Sequence, residues 1–134
     1  MAKETGLGMA LAADDSGGSA RTISNDVTNA DWSIPRAPID ATGLDKSGVE
    51  RLLGLADFSC TIAGIFNDAS NMSHDVFKTV GSTTVARTLT LTISGQSLPN
   101  EVFFTDYALT RAATGELTWS VPAVLQSGTV PTWA

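Results

Sequence analysis

Arg87-Thr88-Leu89-Thr90-Leu91-Thr92-Ile93-Ser94-Gly95 alternates threonine with aliphatic residues. A strict period of two puts Leu89, Leu91 and Ile93 on one face and Thr88, Thr90 and Thr92 on the other, which is the pattern of a half-buried β-strand. The wet face carries hydroxyls and no charge. Two more strand-like runs follow, at about Glu101 to Arg111 and Glu116 to Leu125. The connectors Gly95 to Asn100 and Ala112 to Gly115 are turn-like, so an antiparallel meander is expected.

Upstream, Gly6 to Ala13 reads as a first strand and Asp14 to Ser19 as its turn. A second strand is expected from about Arg21 to Asp31, and another from Asp57 to Phe66. Pro35 and Pro38 remove backbone donors between Ile34 and Ile39, so this stretch is expected to be an extended arm or edge. Thr42 or Asp45 is placed to cap a short helix with an apolar stripe of Val49, Leu52, Leu53 and Leu55, which Gly48 and Gly54 weaken. Ser73 is placed to cap a second helical turn through Val76, Phe77 and Val80. The fold class is mainly β: a two-sheet antiparallel β-sandwich with one or two short flanking helices. Residues 1–134 make one domain, with an extended arm near 32–41 and a C-terminal tail at 126–134.

The 134 residues suffice to bury a core without disulfide or metal. Charged residues make up only 16 % of the chain, low for a small domain, and this suggests that part of the surface is covered by further copies. The net charge of −6, with basic residues scattered singly, leaves no basic patch for tight nucleic-acid binding. No targeting signal or membrane span is expected, because the apolar run Leu7 to Ala13 is short and adjoins glycines. Synthesis in a cytoplasm follows, and Asn71-Met72-Ser73 is then a chance sequon.

Little here points to chemistry. Cys60 is in phase with Phe58, Ile62 and Phe66, which favours a buried structural thiol. Ser73-His74-Asp75 has the residue types of a hydrolase triad, but adjacent side chains diverge, whereas a triad converges from separate segments. His74 is the sole histidine, so a histidine-rich metal site is excluded. Asp14-Asp15-Ser16-Gly17-Gly18 lacks the alternating oxygen ligands and closing glutamate of a calcium loop, and no phosphate-binding glycine loop exists. No enzyme activity, cofactor or metal is expected. Trp32, Trp119 and Trp133 leave open a sugar-stacking platform, hence a carbohydrate- or receptor-binding module. Trp119, in phase with Leu117 and Val121, reads instead as core, and Trp133 as part of a tail that docks on something.

Several ordered segments resemble the short major tail proteins, or tail tube proteins, of tailed bacteriophages. They are Lys3 to Gly8 before the acidic turn, Ile23 to Asn29, Thr42 to Ser47 followed by Glu50 to Leu53, and Phe66 to Asp68. His74 to Val80, Leu91 to Gln96, Leu98 to Val102, Phe104 to Tyr107 and Leu117 to Pro122 continue the series. The resemblance implies a β-sandwich with a flanking helix, assembled as hexameric rings that stack into a hollow tube, one sheet of each subunit joining its neighbours in a lumen-lining barrel. It implies a tape measure protein, tail terminator and distal tail proteins as partners, passage of double-stranded DNA, and a place in the virion tail after synthesis in the host. Gly48 and Gly54 depart from the pattern, which has larger helix formers at those places.

On that reading Ile34, Pro35, Arg36, Pro38 and Ile39 of the arm, with Val130, Pro131 and Trp133 of the tail, are expected subunit contacts. Both segments are expected to order only in the assembly. Thr88, Thr90 and Thr92 are expected to face the lumen, since an uncharged hydroxyl surface wets a channel without gripping phosphate.

Overall fold

The computed structural model describes residue 3 and residues 5–134. Among the described residues, ten strands and one short helix follow the order β1 (Ala10–Asp14), β2 (Ala20–Thr22), β3 (Val27–Ser33), β4 (Arg36–Asp40), β5 (Arg51–Ala56), β6 (Ser59–Ile65), α1 (Ser73–Phe77), β7 (Arg87–Ile93), β8 (Gln96–Phe104), β9 (Ala108–Arg111) and β10 (Leu117–Leu125). All pairings are antiparallel. One layer runs β2-β1-β7-β8 and the other β3-β6-β10-β9, while β4 and β5 pair only with each other.

A single strand path joins the layers. β8 pairs with β7 as far as Val102, and its last residues, Val102 to Phe104, pair with β10. The chain bends through Thr105 to Tyr107 and continues as β9 against the other half of β10. The ladder is thus continuous around a corner, and the inner faces close on each other. Leu11, Leu89, Leu91 and Leu98 of one layer share a core with Phe58, Cys60, Ile62, Trp119 and Val121 of the other, joined by Val76 and Phe77 of α1. Antiparallel β architecture, the threonine alternation, the buried Cys60 and the core Trp119 all agree with the sequence reading.

The period of two in β7 extends back to Arg87, which is on the core side and buried. Its guanidinium donates to the Val76 carbonyl and, at 2.9 Å, to Thr79 Oγ1, and its carbon lies 5.9 Å from the centre of the Phe104 ring. Burial lowers its pKa. The polar head therefore ties the segment after α1 to the sheet, which accounts for a cation on an otherwise aliphatic face. At the other end of β7, Ile93 is only half-buried.

Several boundaries differ from expectation. The first strand begins at Ala10 because Gly6 to Gly8 form a turn, Met9 N donating to Gly6 O at 3.3 Å. The stretch expected as one strand from Arg21 to Asp31 is split into β2 and β3 by a turn at Ile23 to Asp26, with Asp26 N donating to Ile23 O at 2.9 Å. The expected connector from Gly95 to Asn100 is mostly strand. Ser94 and Gly95, at φ of 50° and 81°, form a two-residue hairpin turn with both central residues left-handed. Pro99 lies inside β8 because the alternation set by that turn directs its missing N–H away from β7.

The helix expected through Val49 to Leu55 does not form. Thr42 and Asp45 cap nothing helical: residues 42–50 are a loop and Arg51–Ala56 is the strand β5. Thr42 Oγ1 donates to Asp40 Oδ1 at 2.6 Å and accepts from Glu50 N at 2.9 Å, closing the loop of a hairpin instead. The Thr42 hydroxyl, helped by the Thr42 amide that donates to the same oxygen at 3.0 Å, holds the Asp40 carboxyl below the usual range. Gly54 also has a strand explanation. A Cβ there would lie 3.1 Å from the Ala37 carbonyl oxygen, opposite the register shift between Arg36 and Pro38.

Ser73 is the first residue of α1 rather than its cap. The Ser73 amide donates to Asp26 Oδ2 at 3.0 Å, so a carboxylate distant in sequence performs the capping. Asn67 Nδ2 donates to Asp26 Oδ1 at 2.8 Å and completes a link between β3, the end of β6 and the helix.

Candidate assembly surfaces

The β4–β5 hairpin carries the largest concentration of uncovered apolar side chains. Ile39, Leu44, Val49, Leu52, Leu53 and Leu55 are all at least half exposed, Leu55 at 95 %. Water-soluble monomers rarely leave so many large aliphatic groups together at the surface. The hairpin is also electrically distinct. Arg36, Lys46 and Arg51 balance Asp40, Asp45 and Glu50, so the whole net charge of −6 resides on the rest of the chain.

Within the arm, Pro35, Pro38 and Ile39 are exposed, but Ile34 packs against the core. Arg36 donates through Nε to the Gly54 carbonyl at 2.9 Å and through Nη2 to the Leu53 carbonyl at 3.4 Å, bracing the root of the hairpin. Leu52, Leu53 and Leu55 were hidden from sequence reading by the apparent helical stripe. A proline-containing extended run, a Thr-Gly-Ser loop and a second apolar run was the hairpin signal available.

The tail is hydrogen-bonded to β8 of its own chain. Ala134 N donates to Ser97 O at 2.9 Å and Ser97 N to Ala134 O at 3.0 Å, because β8 leaves one backbone edge open there. Pro131 is buried within its own chain, while Val130 and Trp133 stay 40 % and 46 % exposed.

Thr88, Thr90 and Thr92 lie together opposite the core face, each half-buried. Across the ladder they meet Ala10 and Ala12 of β1 and Ser97, Pro99 and Glu101 of β8. Thr88 N donates to Asp14 Oδ2 at 3.3 Å and its hydroxyl donates to the Glu101 carboxylate, so the two acids gather at that end. The second layer also has an outer face bearing hydroxyls, which the sequence reading missed. Ser33, Ser59, Thr61, Thr118 and Ser120 point away from its core, with Asp31 among them, but unlike the β7 face it also exposes Ile65, Val124 and Phe103. Neither face presents Lys or Arg among the described strand residues.

The candidate chemistry separates in space. Ser73 is fully buried, His74 Nδ1 lies 3.2 Å from Tyr107 Oη, and Asp75 accepts from Asn71 N at 2.8 Å and Lys78 Nζ at 3.1 Å. Those bonds, the Asn71 amide foremost, lower the Asp75 carboxyl pKa. The Cys60 thiol is pushed up to about 12 by burial, with Asp31 adding to the shift. Asp15 Oδ1 accepts from Gly17 N at 2.9 Å and Ser19 N at 3.0 Å, which makes the acidic loop a hairpin turn with its ligands turned on itself. Trp119 is buried with Nε1 donating to Ile65 O at 2.9 Å, so the three tryptophans share no exposed platform.

No protein-family model matches the chain, and no curated protein matches it. Solved structures do. A chain in the tail of an empty GTA particle, of C6 symmetry, superposes with a TM-score of 0.81 at 17 % identity, covering 98 % of this chain and 99 % of that one. A chain in the virion of a native gene transfer agent particle gives a TM-score of 0.78 at 16 % identity, with the same coverage. The chain shares the fold of these gene transfer agent chains end to end.

Proposed function

We propose that this chain is a structural tail tube protein whose copies form six-membered rings, stacked into a hollow conduit for double-stranded DNA. The observation that carries the reading is the end-to-end likeness to a chain of a C6-symmetric tail. The uncovered hairpin supports it, since a surface of this kind needs a partner and identical copies supply one. Pro35, Pro38 and Ile39, with Leu52, Leu53 and Leu55 beside them and Val130 and Trp133 of the tail, make the contact between copies. Sheet edges exposed in the single subunit, such as that of β3, pair across the ring and are thereby protected from indiscriminate association. The whole chain acts as one non-catalytic domain in the virion tail. A tape measure protein occupies the tube before DNA, and terminator and distal tail proteins close its ends.

Negative-stain microscopy of the purified protein across a concentration series tests the proposal. Long hollow tubes of uniform width, or stacked six-membered rings, are the expected result. A protein that stays monomeric at high concentration and binds a sugar saturably would overturn it in favour of a glycan-binding module.

A further inference from the structure

The β4–β5 hairpin poses a physical problem of its own. It continues the β3–β6 ladder at its root, where Asp57 N donates to Pro35 O at 3.0 Å, but beyond that root its two strands pair only with each other, and a two-stranded ribbon with no covering layer is marginal in water. The segment beyond β10 is placed to support it. Gln126 N donates to Glu101 O at 3.0 Å, and the Ala134–Ser97 pair forms the second anchor, 2.9 Å and 3.0 Å long. Both anchors fall on the edge of β8 opposite β7, before β10 takes over that edge at Val102. Pro99 lies between them and has no amide to satisfy.

Between its anchors the segment bows outward. Gly128, at φ of 75°, supplies the left-handed turn, and Pro131 is the one buried residue of the bow. Val130, Pro131 and Thr132 face Ile34, Arg36 and Leu55 at the hairpin root across a cleft of about 450 Å³. The same three tail residues close a second cleft, of about 400 Å³, against Pro99 and Glu101 of β8. The tail therefore stands between the hairpin and the sandwich.

We infer that residues 126–134 are an intramolecular strut that orders the β4–β5 hairpin and sets its direction before any second copy is present. The role belongs to the single subunit and does not rest on the tail tube reading. Its consequence for binding is general: a projecting element held in advance loses less entropy when it meets a partner.

Hydrogen exchange on dilute, verified monomer compares the full chain with a deletion of residues 127–134 and with full-length Pro131→Asp. Amides in the β4–β5 ladder are expected to exchange about tenfold faster or more in both variants, with β7 and β10 unchanged. Spin labels at Lys46→Cys in the hairpin loop and Thr110→Cys on β9 should give a broader distance distribution once the tail is removed. Cys60 is buried and does not compete for label. Unchanged hairpin exchange and an unchanged distance distribution in the deletion would overturn the proposal. Loss of protection spreading equally through β7 and β10 in both variants would also overturn it, because the tail would then be part of the sandwich rather than a strut. If the deletion does not fold, Pro131→Asp decides alone.

Discussion

Gly64 and Asp26 show how much of this fold depends on single atoms. A Cβ on Gly64 would sit 2.0 Å from the Asp26 carbonyl oxygen and 2.8 Å from Trp119 Cζ2. The carbonyl cannot yield, since it accepts from Ile65 N at 2.9 Å beside the register shift between Val27 and Asn29. The same residue's carboxylate caps α1, so displacing its backbone would disturb two junctions at once. Gly64→Ala is expected to cost about 3 kcal/mol or more, at the upper end of core overpacking. Gly48→Ala, where a Cβ meets nothing within 4 Å, is the control and should stay within about 0.5 kcal/mol of the parent. Equilibrium denaturation in urea measures both, and equal midpoints would show that the β3–β6 junction adapts. None of this is local in sequence: Asp26 and Trp119, which meet at Gly64, lie 38 residues before it and 55 after it.

At the scale of elements, what was legible is what is encoded locally. Alternation in β7 survives into the structure because a period of two needs no knowledge of the strand's partners. The Trp119 phase survives for the same reason. The segment from Val49 to Leu55 failed because its spacing fits a helical stripe, and reading it assumed that apolar residues are covered by their own chain. Leu52, Leu53 and Leu55 are not so covered. Pairing with Arg36–Asp40, a long-range choice, decided for strand over helix. Asp26 as the cap of α1 was hidden likewise, lying 47 residues from Ser73. If the hairpin's uncovered leucines exist to meet another copy, then Leu53→Asp and Leu55→Asp remove assembly without harming the subunit. Both variants should melt within a few degrees of the parent, since neither side chain is buried, yet sediment as monomers where the parent forms tubes. Tubes formed normally by both would move the contact elsewhere.

The whole molecule presents two outer faces bearing small hydroxyls, separated by the core and free of cations among their described residues; the second also exposes Ile65, Phe103 and Val124. Its acidic charge lies off the hairpin, so bodies brought together repel, while the neutral apolar hairpin does not add to that repulsion. On the tail tube reading one of the two faces lines the lumen, and the threonine face of β7 is the one proposed. Thr92 is the sharper place to test this than Thr88. Thr88 already holds Asp14 and Glu101, which would neutralise an introduced cation, whereas Thr92 is flanked by Ala10 and Ser97. A lysine at 92 thus keeps its charge available to phosphate, and repeated around each ring and along the tube it would hold DNA by counterion release. Thr92→Lys is expected to assemble into normal particles but to slow DNA ejection, with the defect relieved as salt is raised; Thr92→Ser should eject normally. Ser120→Lys, on the opposite layer beside Ala63 and Ala108, is the matched control and should leave ejection unchanged. If Ser120→Lys slows ejection and Thr92→Lys does not, the lumen belongs to the β3-β6-β10-β9 layer and the threonines face the outside of the tube.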